Sequence, residues 1–214
     1  MKTDDLIDLL AKDADLPPPG GVPRRLALAC ALAAGGALAL LLAWLGLRPD
    51  LHLAMRTGPF WMKAGYTLWV AAAGFAMTAE ASRPGGAPKR PARMALVAAL
   101  VVIGVLAIGD AALTPVSGWR AAWMGQSAMI CPWRILAISA PAFAAIVWGL
   151  RSLAPTRLAV AGAAAGVLAG GIGATVYGLY CQEATAMFVA TWYTLGLAGC
   201  AGVGALLGPR VLRW

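Results

Sequence analysis

Residues 26–47 read Leu-Ala-Leu-Ala-Cys-Ala-Leu-Ala-Ala-Gly-Gly-Ala-Leu-Ala-Leu-Leu-Leu-Ala-Trp-Leu-Gly-Leu, with Arg24-Arg25 before them and Arg48 after. The stretch holds no charged side chain. A helix needs about 20 apolar residues to cross the roughly 30 Å hydrocarbon core of a bilayer. Leu26–Leu47 therefore predicts a membrane span bounded by basic residues.

Five more stretches repeat the pattern: Phe60–Ala81, Met94–Leu113, Trp133–Leu150, Leu158–Leu179 and Ala184–Leu207. None carries a charge in its central third. Asp110, Glu80 and Glu183 fall near stretch ends, where water or headgroups can reach them. The whole chain agrees: of its 214 residues 61% are hydrophobic and 12% charged. An ordinary soluble domain is roughly 25% charged. So apolar a chain has too thin a charged shell to stay in water. The expected fold class is all-α, a six-transmembrane-helix bundle with a short N-terminal cytoplasmic amphipathic helix. Residues 1–24 form one expected unit and residues 25–214 the membrane domain.

Orientation follows from the basic residues, which concentrate on the cytoplasmic side of bacterial membranes. With the N-terminus inside, 12 of the 17 Lys and Arg fall on the inner side. Arg48, Arg56, Lys63, Arg120 and Arg134 fall outside. Both termini are thus expected in the cytoplasm of a bacterial cell, with the chain in its inner membrane. The first span is expected to stay as an anchor, because it is longer than the 7–15 residue apolar core of a signal peptide and its leader opens acidic. Most of the tryptophans sit near the expected interfaces, which suits the amphipathic indole.

The net charge of +8 divides unevenly. The basic body orients helices, so direct nucleic-acid binding is not expected. Residues 1–16 are acidic, with Asp4, Asp5, Asp8, Asp13 and Asp15 against Lys2 and Lys12. Thr3 can cap a helix there, Asp4 and Asp5 suit its positive end, and Pro17-Pro18-Pro19 stops it. Leu6, Ile7, Leu9, Leu10, Ala14 and Leu16 share one face; Asp4, Asp5, Asp8, Lys12 and Asp15 share the other. A helix this short is marginal alone and needs a surface. Anionic headgroups would repel five aspartates, whereas a protein groove with a basic rim would suit them. Packing under the bundle, or service as a solubility tail, is the alternative.

Gly162, Gly166 and Gly170 recur every four residues, as do Gly204 and Gly208, a spacing that lets helix backbones approach. Four cysteines are present. Cys30 and Cys200 lie inside spans as small apolar side chains. Cys131 and Cys181 both fall at outer span ends at similar depth, facing an oxidising compartment. A reversible disulfide, a low-coordination metal site with Glu183, Met129 or His52 nearby, a static disulfide and two separate thiols all remain open. No phosphate loop, nucleophile elbow, HExxH or intramembrane acid relay is present, so nothing argues for an enzyme or a resident cofactor. A membrane thiol-disulfide oxidoreductase and a small-solute transporter are the rival classes. The first lacks a CxxC, and the second lacks evident internal repeats.

Several motifs fall in a particular order. The chain opens Thr3-Asp-Asp-Leu-Ile-Asp-Leu-Leu-Ala, then a Pro-rich link and Arg24-Arg25. Gly125-Gln-Ser127 precedes Cys131-Pro132, with Ser139 and Pro141 downstream. Cys181-Gln-Glu183 is followed by Trp192-Tyr193-Thr194, and the chain ends Gly202-Val-Gly204-Ala-Leu-Leu-Gly208-Pro-Arg210-Val-Leu-Arg213-Trp214. Along its whole length the chain resembles the NrsF-like membrane anti-sigma factors, negative regulators of an extracytoplasmic-function sigma factor called sigma F. The resemblance implies a protein that holds its sigma factor at the inner membrane and releases it on a periplasmic signal. It implies a partner-binding N-terminal segment (Asp4, Asp5, Leu6, Ile7, Asp8, Leu9, Leu10). It also implies sensing of thiol oxidation or a heavy-metal ion by Cys131 and Cys181.

Overall fold

The computed structural model describes residues 21–213 apart from 84, 152 and 154. The expected amphipathic helix and its partner-binding residues, Asp4 to Leu10, lie outside the described residues. Helices follow in the order α1 Gly21–Trp44, α2 Leu51–Ala54, α3 Gly58–Ala81, α4 Arg90–Leu113, α5 Trp119–Met124, α6 Cys131–Arg151 and α7 Leu158–Tyr177. A last long helix begins as α8 Ala186–Phe188, passes through a π turn at Val189–Tyr193 and continues as α9 Thr194–Val211. Among the described residues there is no strand.

The six apolar stretches each fold as one long helix, with ends within a few residues of those expected. Five of them are long and apolar enough to cross a membrane: Arg24–Trp44, Arg90–Leu113, Cys131–Arg151, Leu158–Tyr177 and Ala186–Val211. Helix α3 has comparable length, 24 residues, but carries Lys63, Tyr66, Thr67, Thr78 and Glu80. Those groups are largely turned inward: Lys63, Tyr66, Thr67 and Thr78 are all buried. Thr67 and Thr78 return their hydroxyls to carbonyls of their own helix, Thr78 to Gly74 at 2.7 Å. Such self-satisfaction lets a polar side chain sit inside an apolar bundle without an orphaned donor.

Helix α7 is the axis, packed against α9, α3, α6 and α1. Its small residues permit this. A Cβ built on Gly166 would run into the Cys200 carbonyl, one on Gly204 into the Gly162 carbonyl, and one on Gly162 into the backbone of Gly204 and Gly208. The four-residue glycine spacing therefore does what it predicted and brings two backbones into contact. Opposite, Gly74 and Gly171 seat α3 and α7 against each other's main chain. Large apolar side chains point outward from most helices, among them Leu28, Val101, Val105, Ile108 and Leu206. So apolar an exposed surface is compatible with a lipid surrounding.

The connections sort to two ends as the alternating topology requires. At one end Gly85 N donates to Thr156 Oγ1 at 2.9 Å, and Arg151 Nε donates to the Val211 carbonyl at 2.7 Å. At the other, Arg48 N donates to the Leu179 carbonyl and Gln126 N to Glu183, which ties three connections together. These are the ends that the basic-residue count assigns to the inside and the outside respectively.

Candidate functional site

The end of the bundle that holds Cys131 and Cys181 buries a lysine, two tyrosines and two thiols together. Its construction begins with Gly125, whose φ of +50° favours glycine and ends α5. A Cβ there would also collide with the Glu183 carboxylate. Glu183 Oε1 accepts from Gln126 N at 2.8 Å and from Ser127 Oγ at 3.1 Å, which fastens the Cys181 loop to the turn before α6. Ser127 then accepts the Cys131 N–H on its carbonyl, at 2.8 Å, to start α6.

Both cysteines are buried free thiols, Cys131 fully and Cys181 at 3% exposure. The two belong to one buried cluster, in which the Cys131 side chain bears on the Cys181 thiol. That influence is the largest cause holding the Cys181 thiol below the usual thiol range. The Lys63 ammonium, the Tyr193 hydroxyl and the Glu183 backbone act in the same direction, and burial opposes them.

Lys63 is the residue that sequence reasoning missed. It counted only as an outer basic residue, yet it is 3% exposed, and its ammonium donates to the Cys181 carbonyl at 2.7 Å and to the Glu183 carbonyl at 2.9 Å. It also stands 5.7 Å from the centre of the Tyr193 ring. A second cation closes the outside: Arg48 makes a two-pronged pair with Asp50 (2.7 and 2.8 Å) and reaches the Cys181 carbonyl at 3.5 Å. Arg48 in turn holds the Asp50 carboxyl below its ordinary range. A basic residue within the first turn and a half of an apolar stretch was the only available signal for Lys63.

Two tyrosines line the inner side of the thiols. Tyr177 and Tyr193 are fully buried, their rings 5.9 Å apart. Their hydroxyls are among four buried polar side-chain atoms without a hydrogen-bond partner among the described residues, with Arg134 Nε and Ser139 Oγ. The nearest polar neighbours of the two tyrosines are the thiols and Arg134, and the Tyr193 hydroxyl helps to lower the Cys181 thiol. Tyr193 ends the π turn, and such turns concentrate at functional sites. The turn is held from outside by α5: Trp192 Nε1 donates to the Trp123 carbonyl at 2.8 Å, and Trp123 Nε1 donates to Thr191 Oγ1 at 3.1 Å. Its leading end is capped by Asp110 of α4, which accepts from Ala186 N at 2.9 Å.

A cleft of about 420 Å³ runs from the surface to Cys181 between Arg48 and Arg134. Cys131 and Cys181 thus share one buried cluster beside this cleft, whereas Cys30 lies in a different part of the core. Of the side chains suggested beside the pair, only Glu183 belongs to the site, and its carboxylate is occupied by Gln126 and Ser127. Met129 is 75% exposed and His52 is exposed in α2. Among the described residues no group of three or more His, Cys, Asp or Glu side chains could hold a metal ion.

Residues 10–214 match the model of a family described as negative regulator of sigma F. The anti-sigma-F factor of Caulobacter vibrioides is 41% identical over 218 residues, covering all of both chains. A probable anti-sigma-F factor of Azospira oryzae is 40% identical over 217 residues, again covering all of both. No solved structure matches the chain.

Proposed function

The chain belongs to the family of negative regulators of sigma F, and from that premise we propose that it is an inner-membrane anti-sigma factor switched at Cys131 and Cys181. Its role is regulatory. Six spans, α3 included, carry both termini on the cytoplasmic side. Residues 1–24 sequester an extracytoplasmic-function sigma factor. Leu6, Ile7, Leu9 and Leu10 fill an apolar groove on that partner, and Asp4, Asp5 and Asp8 face its basic rim.

The observation that carries the switch is the meeting of two buried thiols at the polar end of an otherwise apolar bundle. In the periplasm an oxidant removes two electrons and the two thiols release two protons, forming one S–S bond. A soft heavy-metal ion held between two thiolates would draw on the same pair. Either event ties the start of α6 to the loop that leads into the π turn. Tyr177 and Tyr193 stand buried beside both thiols, so a change at the sulfurs alters the surroundings of their hydroxyls, which supports a second arrangement of this end. Repacking passes along α9 and α6 to the cytoplasmic end, where the sigma factor is let go.

The test uses the full-length protein in membranes. Affinity capture retains the sigma factor, an oxidant or soft metal ion releases it, and the Cys131→Ser/Cys181→Ser double variant retains it regardless. Leu6→Asp with Leu10→Asp loses retention without oxidant, by roughly 30-fold or more if these are anchors of the interface. Unchanged retention by that variant removes the docking face. Release that persists without both cysteines removes the switch. Thiol exchange activity that depends on the cysteines while sigma-dependent transcription ignores them would favour an oxidoreductase.

A further inference from the structure

We propose that the cleft between α1 and α6 at the inner end of the bundle binds the phosphate headgroup of an anionic glycerophospholipid. The cleft has a volume of about 670 Å³, and its walls are Arg25, Leu28, Trp148, Gly149 and Arg151.

Helix α1 starts at this end and α6 finishes here, so the antiparallel pair sets Arg25 and Arg151 at one depth. Gly149 forms the floor: a Cβ on it would press the Ala29 methyl at 3.0 Å. The two helices thus meet at the bottom while their basic side chains form the rim. Arg151 is already oriented, because its Nε is committed to the Val211 carbonyl at 2.7 Å and its terminal nitrogens remain for a ligand. Neither arginine has a carboxylate partner among the described residues, where Arg48–Asp50 is the one ion pair. Glu80, the sole acid of this end outside residues 1–16, accepts from Lys89 N at 2.5 Å.

The apolar side of the cleft has the matching chemistry. Leu28 stands one turn deeper on α1, and the Trp148 indole is 62% exposed one turn deeper on α6. An acyl chain would lie along both while its phosphate meets two guanidinium groups, whose planar donor forks fit phosphate oxygens. Basic pockets between helices on the cytoplasmic side have this character. The ligand would clasp α1 just after residues 1–24, the segment assigned to the sigma factor. The inference rests on the membrane reading above but not on the thiol switch.

Native mass spectrometry of the full-length protein tests it. Detergent-solubilised protein is offered equal amounts of phosphatidylglycerol and phosphatidylcholine with the same acyl chains. Two interfacial arginines predict a preference of roughly 5- to 30-fold for the anionic lipid, falling to parity in Arg25→Gln/Arg151→Gln. Equal retention of the two lipids by the unaltered protein overturns the proposal, as does a preference that survives the double variant. Full displacement by excess inorganic phosphate would make this a site for a free phosphate and not for a lipid. Reporter fusions at the C-terminus check the cytoplasmic placement separately, so an error in topology is distinguishable from an empty cleft.

Discussion

The middle of the bundle and its outer end solve opposite problems. Between α7 and α9 the backbones touch through Gly162, Gly166, Gly204 and Gly208, with no room for a single methyl group. At the outer end a lysine, a glutamate, two tyrosines and two thiols are packed together, and some of their polar atoms remain unpaired. Dispersion and close approach stabilise the first region and admit one arrangement. Hydrogen bonds with alternatives stabilise the second. The proposed switch stands where partners can be exchanged, and the close contacts of the glycine seam leave little room for rearrangement.

The largest effect should come from breaking the seam. Gly166→Leu sets a branched side chain against the Cys200 carbonyl and should cost roughly 3 kcal/mol or more. We expect aggregation, or loss of the monodisperse peak in size-exclusion chromatography. A cleanly folded Gly166→Leu protein would show that the seam can part, and the contrast with the outer end would fail. The same substitution at Gly202, whose Cβ would meet nothing within 4 Å, is the control.

The seam was legible in advance because a four-residue glycine repeat has one physical use in an apolar helix. The six stretches were legible for a similar reason, since length and absence of charge suffice. The polar end was legible only in part. Cys131 and Cys181 could be paired by counting helical rise from a shared turn, because rise per residue is constant. Lys63, Tyr177 and Tyr193 could not, because nothing local marks which face of a helix will meet a loop 118 residues away. The π turn was invisible too: Val-Ala-Thr-Trp-Tyr has no composition that distinguishes it from an α turn. Asp110 could be placed at a helix end, but not as the cap of a different helix.

Next in size is Lys63→Met, which keeps length and apolarity but leaves the Cys181 and Glu183 carbonyls without their buried donor. Each lost partner costs roughly 1–3 kcal/mol, so about 2–6 kcal/mol in all is expected. Loss of the ammonium also raises the Cys181 thiol from its lowered position. Thiolate is the reactive form, and its fraction falls as pH drops through the thiol's pKa. The alkylation profile of Cys181 should therefore move to higher pH, which maleimide labelling at a series of pH values reads out. A profile that stays in place would mean that Lys63 has no part in lowering the Cys181 thiol. Gly125→Ala should follow at about 1–3 kcal/mol, from left-handed strain together with displacement of Glu183. Its mark is faster protease cleavage between α5 and α6 with little change in global melting.

Cys131→Ser should have the smallest effect on stability and the clearest effect on behaviour. Serine is close in volume, and the site already tolerates unpaired hydroxyls, so a cost near 1 kcal/mol is expected. Serine keeps a hydroxyl that can donate to Cys181, so Cys181 labelling at neutral pH should change little while the S–S bond becomes impossible. If the outer end holds two arrangements in balance, this small change should leave the protein folded and its sigma-dependent reporter fixed in one state, deaf to oxidant. If the variant still responds, the balance does not depend on a bond between the sulfurs. If it unfolds as Gly166→Leu is expected to, the outer end is as rigid as the seam and cannot serve as a switch.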